Sequence, residues 1–325
     1  MNNPWTWGFS FFYGEFFMKT AEILSVIDKY INKYNSEKSQ KYETIYMLPS
    51  SDAAMLGPDF VRDDASRVSF CFYRLSPQEY DDGGAQSFAD ATFHNGDSLK
   101  NGKIKLELNV NMPVRVDGDK TYLDRPMMAE LVTHELAHAY RKSRELAAGH
   151  YKFDFSFLNF VKRKKSNKKY TIFQRYNSYD KTMPTGGADN IYEKMRWVGY
   201  ALVEDEAYAQ LAGIQTFLAA GGNIRDSRGK QLIDIVSTYL DEIEKNETSD
   251  DWQKCMKTIS YIPARQGEKP ARFARRWIAY YRDRITKFNA RVEKMLNKHR
   301  TDKLKNATKS LMIADMIPAK VQERD

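Results

Sequence analysis

Apolar residues recur along this chain with two periods, and the change from one to the other marks the elements. From Lys103 to Asn111 they alternate strictly, with Ile104, Leu106, Leu108 and Val110 on one side and charged or amide side chains on the other. That period of two predicts a half-buried β-strand. The runs Glu43 to Leu48 and Arg67 to Leu75 predict two more. Elsewhere the period is helical. Ala21, Leu24, Ile27, Ile31 and Tyr34 share a face of an amphipathic helix spanning Phe17 to Tyr34. Leu232, Ile235, Tyr239 and Ile243 mark another helix, and Trp252, Cys255, Met256 and Ile259 a shorter one, before Pro263 interrupts the series. From Ala271 to His299, Ile278, Tyr281, Ile285, Phe288, Val292 and Met295 follow at spacings of three and four, the seam of a bundle or coiled coil.

One predicted helix carries chemistry. The stretch Met127 to Tyr140 has the uncharged frame of an interior helix, with Asp124 as its N-cap and Pro126 in the first turn, where no helical bond is lost. Lys142, Arg144 and Gly149 form its stop. Within it stand His134-Glu135-Leu136-Ala137-His138, which hold two of the five histidines of the chain. Residues four apart on a helix project from one face, so both imidazoles can reach a single metal ion with Glu135 beside it.

A catalytic zinc needs a third protein ligand and an open position for water. An HExxHxxGxxH arrangement is excluded, because Arg141 and Arg144 occupy its last two landmarks. A second apolar, alanine-rich helix is expected over Trp197 to Gly213, with Glu204, Asp205 and Glu206 in its middle. Carboxylates in such a place call for a partner. On ligand chemistry alone, Glu204, Asp205, Glu206 and His150 all qualify.

The HELAH pentad followed by Glu204-Asp205-Glu206-Ala207-Tyr208 resembles the gluzincin branch of the zincin metallopeptidases. The resemblance implies an α+β zincin-like fold, with a small N-terminal sheet, an active-site helix and a mainly helical C-terminal lobe. It implies Zn2+ held by His134, His138 and Glu204, the first glutamate of a Glu-x-x-Ala pattern. Tyr208 stands where the family carries a carboxylate or amide. Glu135 would be the general base of a peptidase acting on polypeptide, and Tyr200, Tyr208, Tyr192 or His150 would supply the oxyanion donor. Glu130, one turn before His134, is a candidate support for the site or a surface or capping residue. The strand Lys103 to Asn111 would match the edge strand that aligns an extended substrate.

Composition then limits the setting. At 325 residues and 42% hydrophobic, the chain can bury a proper core. Four parts are expected: an aromatic N-terminal arm and first helix over 1–40, an α/β lobe over 41–150, a basic insertion over 151–187 and a helical lobe over 188–325. Cys71 and Cys255 are too few and too distant for a disulfide framework, which points to a reducing compartment. The N-terminus has no basic leader and Glu15 interrupts its apolar run, so neither a signal peptide nor a membrane span is expected. Cytoplasm or a large assembly such as a virion is the expected location. Trp5, Trp7, Phe9, Phe11, Phe12, Tyr13, Phe16 and Phe17 make the first residues an arm suited to packing at home or in another subunit. This motivates the rival class, a structural or assembly protein on a zincin scaffold, joined into a homo-oligomer by this arm and the C-terminal helices. The run Lys162 to Lys169 and the net charge of +8 admit nucleic acid as a lesser alternative, with no recognition motif in support.

Overall fold

The structure, a computed structural model, describes residues 20–37, 41–56, 67–81, 88–94, 105–147, 190–202, 204–245 and 265–316. The aromatic arm, the 151–187 insertion with its basic run, the helix expected around Trp252 and the C-terminal tail lie outside these residues.

In chain order the described elements are α1 (Thr20–Glu37), β1 (Glu43–Met47), α2 (Ser50–Leu56), β2 (Arg67–Leu75), α3 (Pro77–Asp81), β3 (Phe88–His94), β4 (Lys105–Asp117), β5 (Lys120–Leu123), α4 (Arg125–Ala147), α5 (Asn190–Ala201), α6 (Glu204–Ala219), α7 (Arg228–Lys245) and α8 (Pro270–Met316). They form an α+β arrangement, a small N-terminal sheet followed by a helical C-terminal lobe.

The sheet has the order β1-β2-β4-β3, with β5 paired to β4. β2 and β4 run parallel, whereas β1 with β2 and β3 with β4 are antiparallel. Gly118, at φ +58°, turns β4 back into β5; that left-handed conformation suits a residue without Cβ. The alternation seen in the sequence is real, since Leu108 and Val110 are buried and Asn109 is exposed. The place assigned to this strand is corrected, however. Over Glu107 to Asn111 β4 is paired on one side with β2 and on the other with β3, so it is interior and its backbone cannot align a substrate. Among the described strands, β1 and β3 stand at the two margins of this order.

Val68, Phe70, Phe72, Leu108, Val110 and Met112 turn one face of the sheet toward α1 and α4. On α1 the buried stripe is Ile23, Val26, Ile27, Tyr30 and Tyr34; Leu24 and Ile31 flank it and Ala21 is exposed, so the face sits about one residue from the expected one. A similar shift occurs on α7, where Ile233, Val236, Leu240 and Ile243 are buried while Ile235 is 47% exposed.

A second core joins α5, α6, α7 and α8. The predicted seam on α8 closes inside the chain, with Phe273, Trp277, Tyr281, Ile285, Phe288 and Val292 buried against Leu211, Ile214 and Leu240. Large side chains of this kind contribute about 1.5–3 kcal/mol each on burial. No described helix is long and apolar enough to cross a membrane.

The entry to α8 is held by an ion pair. Arg276 donates from Nε to Glu268 Oε1 (2.9 Å) and from Nη2 to Oε2 (2.7 Å), and the Arg265 amide donates to the same carboxylate at 2.9 Å. The Arg276 hydrogen bonds, with that amide, hold the Glu268 carboxyl down at about 2, from an ordinary value of 4.5. A carboxyl whose folded-state value lies below its unfolded one stabilises fully above the unfolded value and loses that contribution as pH falls. Acid unfolding should therefore steepen between about pH 4.5 and 2 in the wild type and flatten there in Arg276→Met. Melting curves over that range check it, and identical profiles would show that the pair is inert.

Candidate metal centre

The helix that carries the pentad begins as its sequence requires. Asp124 Oδ1 accepts the Met127 amide at 2.8 Å, and Pro126 sits in the first turn. Arg125 then anchors this end from the side, donating from Nη2 to Asp28 Oδ2 and from Nη1 to the Ala220 carbonyl, each at 2.8 Å. The HExxH helix is thus tied at its start to α1 and to the chain just beyond α6.

One turn apart on α4, the His134 and His138 rings meet edge to face, with centroids 4.8 Å apart and planes at 77°. Their Nε2 atoms lie 3.2 Å from each other. Glu206 completes the cluster from α6, with Oε1 3.4 Å from His138 Nε2 and Oε2 3.6 Å from His134 Nε2. The three side chains are largely buried, at 16%, 10% and 7% exposure for His134, His138 and Glu206.

The third member is Glu206, where the family pattern favours Glu204. The reason is a break that the apolar run conceals. The helix expected over Trp197 to Gly213 is two helices, α5 ending at Ala201 and α6 starting at Glu204. Glu204, Asp205 and Glu206 accordingly form a first turn, where acidic residues complement the helix dipole, rather than the middle of an apolar face. The side chain of Glu204 is outside the described set, as are those of Asp205 and Tyr192 and the whole of His150.

Tyr200, one of the expected candidates for the oxyanion donor, stands beside the cluster. Its hydroxyl hydrogen-bonds the Glu206 carboxylate, and its ring packs edge-on against Trp197, centroids 6.0 Å apart. It supports an acidic member of the cluster, whereas the family pattern has the residue at Tyr208 hydrogen-bond a ligand histidine. Tyr208 itself lies two residues past Glu206 and is half-buried. Burial alone would raise the Glu206 carboxyl; the hydrogen bond from His138, the charges of both imidazoles and the Tyr200 hydroxyl more than offset it and hold Glu206 below the ordinary range. Glu135, next to His134 on α4, is half-buried and contributes no atom to the cluster of three.

The donor atoms suit a zinc ion. Ligands about 2.0–2.1 Å from a tetrahedral centre stand roughly 3.3–3.4 Å from one another; the two imidazole nitrogens are 3.2 Å apart, and Glu206 brings one carboxylate oxygen to 3.4 Å from His138 Nε2 and the other to 3.6 Å from His134 Nε2. Glu206 Oε2 is moreover buried, with no hydrogen-bond partner among the described residues. A polar atom in that condition costs about 1–3 kcal/mol unless something satisfies it. A cation between the three side chains would do so.

Fold and site together define an α+β protein in which a helix of the sheet-bearing half and a helix of the helical half bring two imidazoles and a carboxylate to one point. Comparison with protein-family models, with curated proteins and with solved structures gives no match.

Proposed function

We propose that this protein is a zinc-dependent peptidase of gluzincin type, with His134, His138 and Glu206 as ligands and Glu135 as general base. The observation that carries the reading is the cluster of three donor side chains, His134 and His138 from α4 and Glu206 from α6, with Glu135 next to His134 on α4. When bound there, zinc would supply Lewis acidity, polarising a carbonyl and making water acidic enough to lose a proton near neutral pH. The protein's own groups do the rest. Glu135 Oε takes the proton of the attacking water and returns it to the departing amine nitrogen. Tyr200 holds the Glu206 carboxylate in place by its hydroxyl, as partners of metal ligands commonly do. An extended polypeptide would be aligned by main-chain pairing along β3, which pairs with β4 alone among the described strands.

The test is cleavage of an unfolded polypeptide such as reduced casein by zinc-loaded protein. Activity that a chelator abolishes and added zinc restores is the expected result. No cleavage at any zinc loading, over a range of unfolded substrates, would refute the reading.

A further inference from the structure

One turn before His134, on the same face of α4, stands a carboxylate that contributes no atom to the cluster. Glu130 is 3% exposed, and the chain surrounds it with donors from another helix. Ser227 Oγ and the Gly229 amide donate to its Oε1 at 2.7 and 2.8 Å, and the Arg228 amide donates to Oε2 at 3.1 Å. These are the N-cap hydroxyl and leading amides of α7, a helix with no acidic residue in its own first turn. Amides at a helix start have no partner within the helix, and an anion placed there also meets the positive end of the dipole. Glu130 therefore caps α7 from across the interior.

At the same residue α6 comes close to α4. A Cβ on Gly213 would stand 3.0 Å from the Glu130 carbonyl oxygen and 3.1 Å from its Cγ. On Gly229 it would meet Gln210 Oε1 at 2.7 Å and Glu130 Oε1 at 3.2 Å. A side chain at Gly213 would press on the Glu130 backbone, and one at Gly229 would crowd the Glu130 carboxylate and displace the end of Gln210. Gly213 lies seven residues, close to two turns, beyond Glu206 and so shares its face of α6. Glu130 and His134 are likewise one turn apart on α4. Two contacts along the α4–α6 interface thus bear on the site, Gly213 on Glu130 and Glu206 on His134 and His138, and the first is clamped by the start of α7.

We propose that Glu130 is a positioning residue, whose carboxylate binds the start of α7 to the HExxH helix and thereby sets the place at which α6 presents Glu206 to His134 and His138. This rests on the zinc reading above, and metal binding tests it without reference to activity. Supports behind metal ligands typically change affinity by about 10–100-fold when removed. In Glu130→Ala, zinc affinity by competition with a chromophoric chelator should fall at least about 10-fold, and the visible bands of the cobalt(II)-substituted protein should shift in position or intensity. Ser227→Ala, which removes one donor and leaves the carboxylate buried, should move both readouts in the same direction by less. Glu130→Gln should recover part of the affinity, since one oxygen can still accept from Ser227 and Gly229.

A destabilised but properly assembled site is distinguished by Asp52→Asn. Asp52 is a buried carboxylate of α2, held by Lys29 at 2.7 Å and Tyr30 at 2.7 Å and making none of the contacts of Glu130 or the cluster. That variant should lower the melting temperature and leave both metal readouts at the wild-type value. Should Glu130→Ala not fold, Ser227→Ala decides alone. Wild-type affinity and an unchanged cobalt spectrum in Glu130→Ala, or in Ser227→Ala where that variant decides, would overturn the positioning role while leaving the zinc reading intact. A wild type that binds neither metal would overturn both.

Discussion

Glu135→Gln should abolish peptide cleavage while leaving zinc bound. Glutamine keeps the size of the side chain and an oxygen to orient water, but its amide cannot take the proton that the attacking water must lose. General-base contributions of this kind run to about 10²–10⁴-fold in rate, so kcat on an unfolded substrate should fall by at least two orders of magnitude on that scale. The cluster of donor atoms comprises His134, His138 and Glu206 without Glu135, so the metal content should not change. A variant with more than a tenth of the wild-type rate would take the base role away from Glu135. One that lost its zinc would place Glu135 among the ligands.

The second large effect concerns the link between metal and stability. Zinc that binds the folded chain and not the unfolded one stabilises by about 2.7 kcal/mol at a free concentration one hundred times its Kd. For the wild type this should appear as a zinc-dependent rise in melting temperature of several degrees. Glu206→Ala leaves two imidazoles from one helix and nothing from α6. The rise should then vanish, because the metal no longer bridges the two helices and binds weakly wherever it finds His134 and His138. Glu206→Gln should behave nearly as badly, since an amide oxygen is a poorer zinc ligand than a carboxylate and the nitrogen beside it would face His134 or His138. Calorimetry with and without zinc checks this, and an undiminished rise in Glu206→Ala would exclude it as a ligand.

Local chemistry made much of this legible. The α4 helix, its Asp124 cap and the shared face of its histidines follow from spacing and from the needs of unpaired amides. The α8 seam and strands β1 and β2 follow from periodicity in the same way. What escaped depends on relations between elements. No glycine or proline stands between Ala201 and Glu204, so an apolar run concealed the start of α6. Alternation in β4 says which side is buried but not which strands lie alongside, and it fits an interior strand as well as an edge. Tyr200 is one of 20 tyrosines, and only the fold selects it for Glu206. On α7 several apolar residues overlap two possible faces, and contact with α6 and α8 decides between Ile233 and Ile235. Glu130 was visible as a charge one turn from His134, but its partners are 97 to 99 positions away in the chain.

The central claim is that α4 and α6 hold one zinc ion through His134, His138 and Glu206. Elemental analysis of chelator-free protein tests it directly, on the wild type, Glu206→Ala and Glu204→Ala. One zinc per chain in the wild type and in Glu204→Ala, with none in Glu206→Ala, is the predicted result. A wild type without metal would contradict the account, and so would zinc kept by Glu206→Ala and lost by Glu204→Ala.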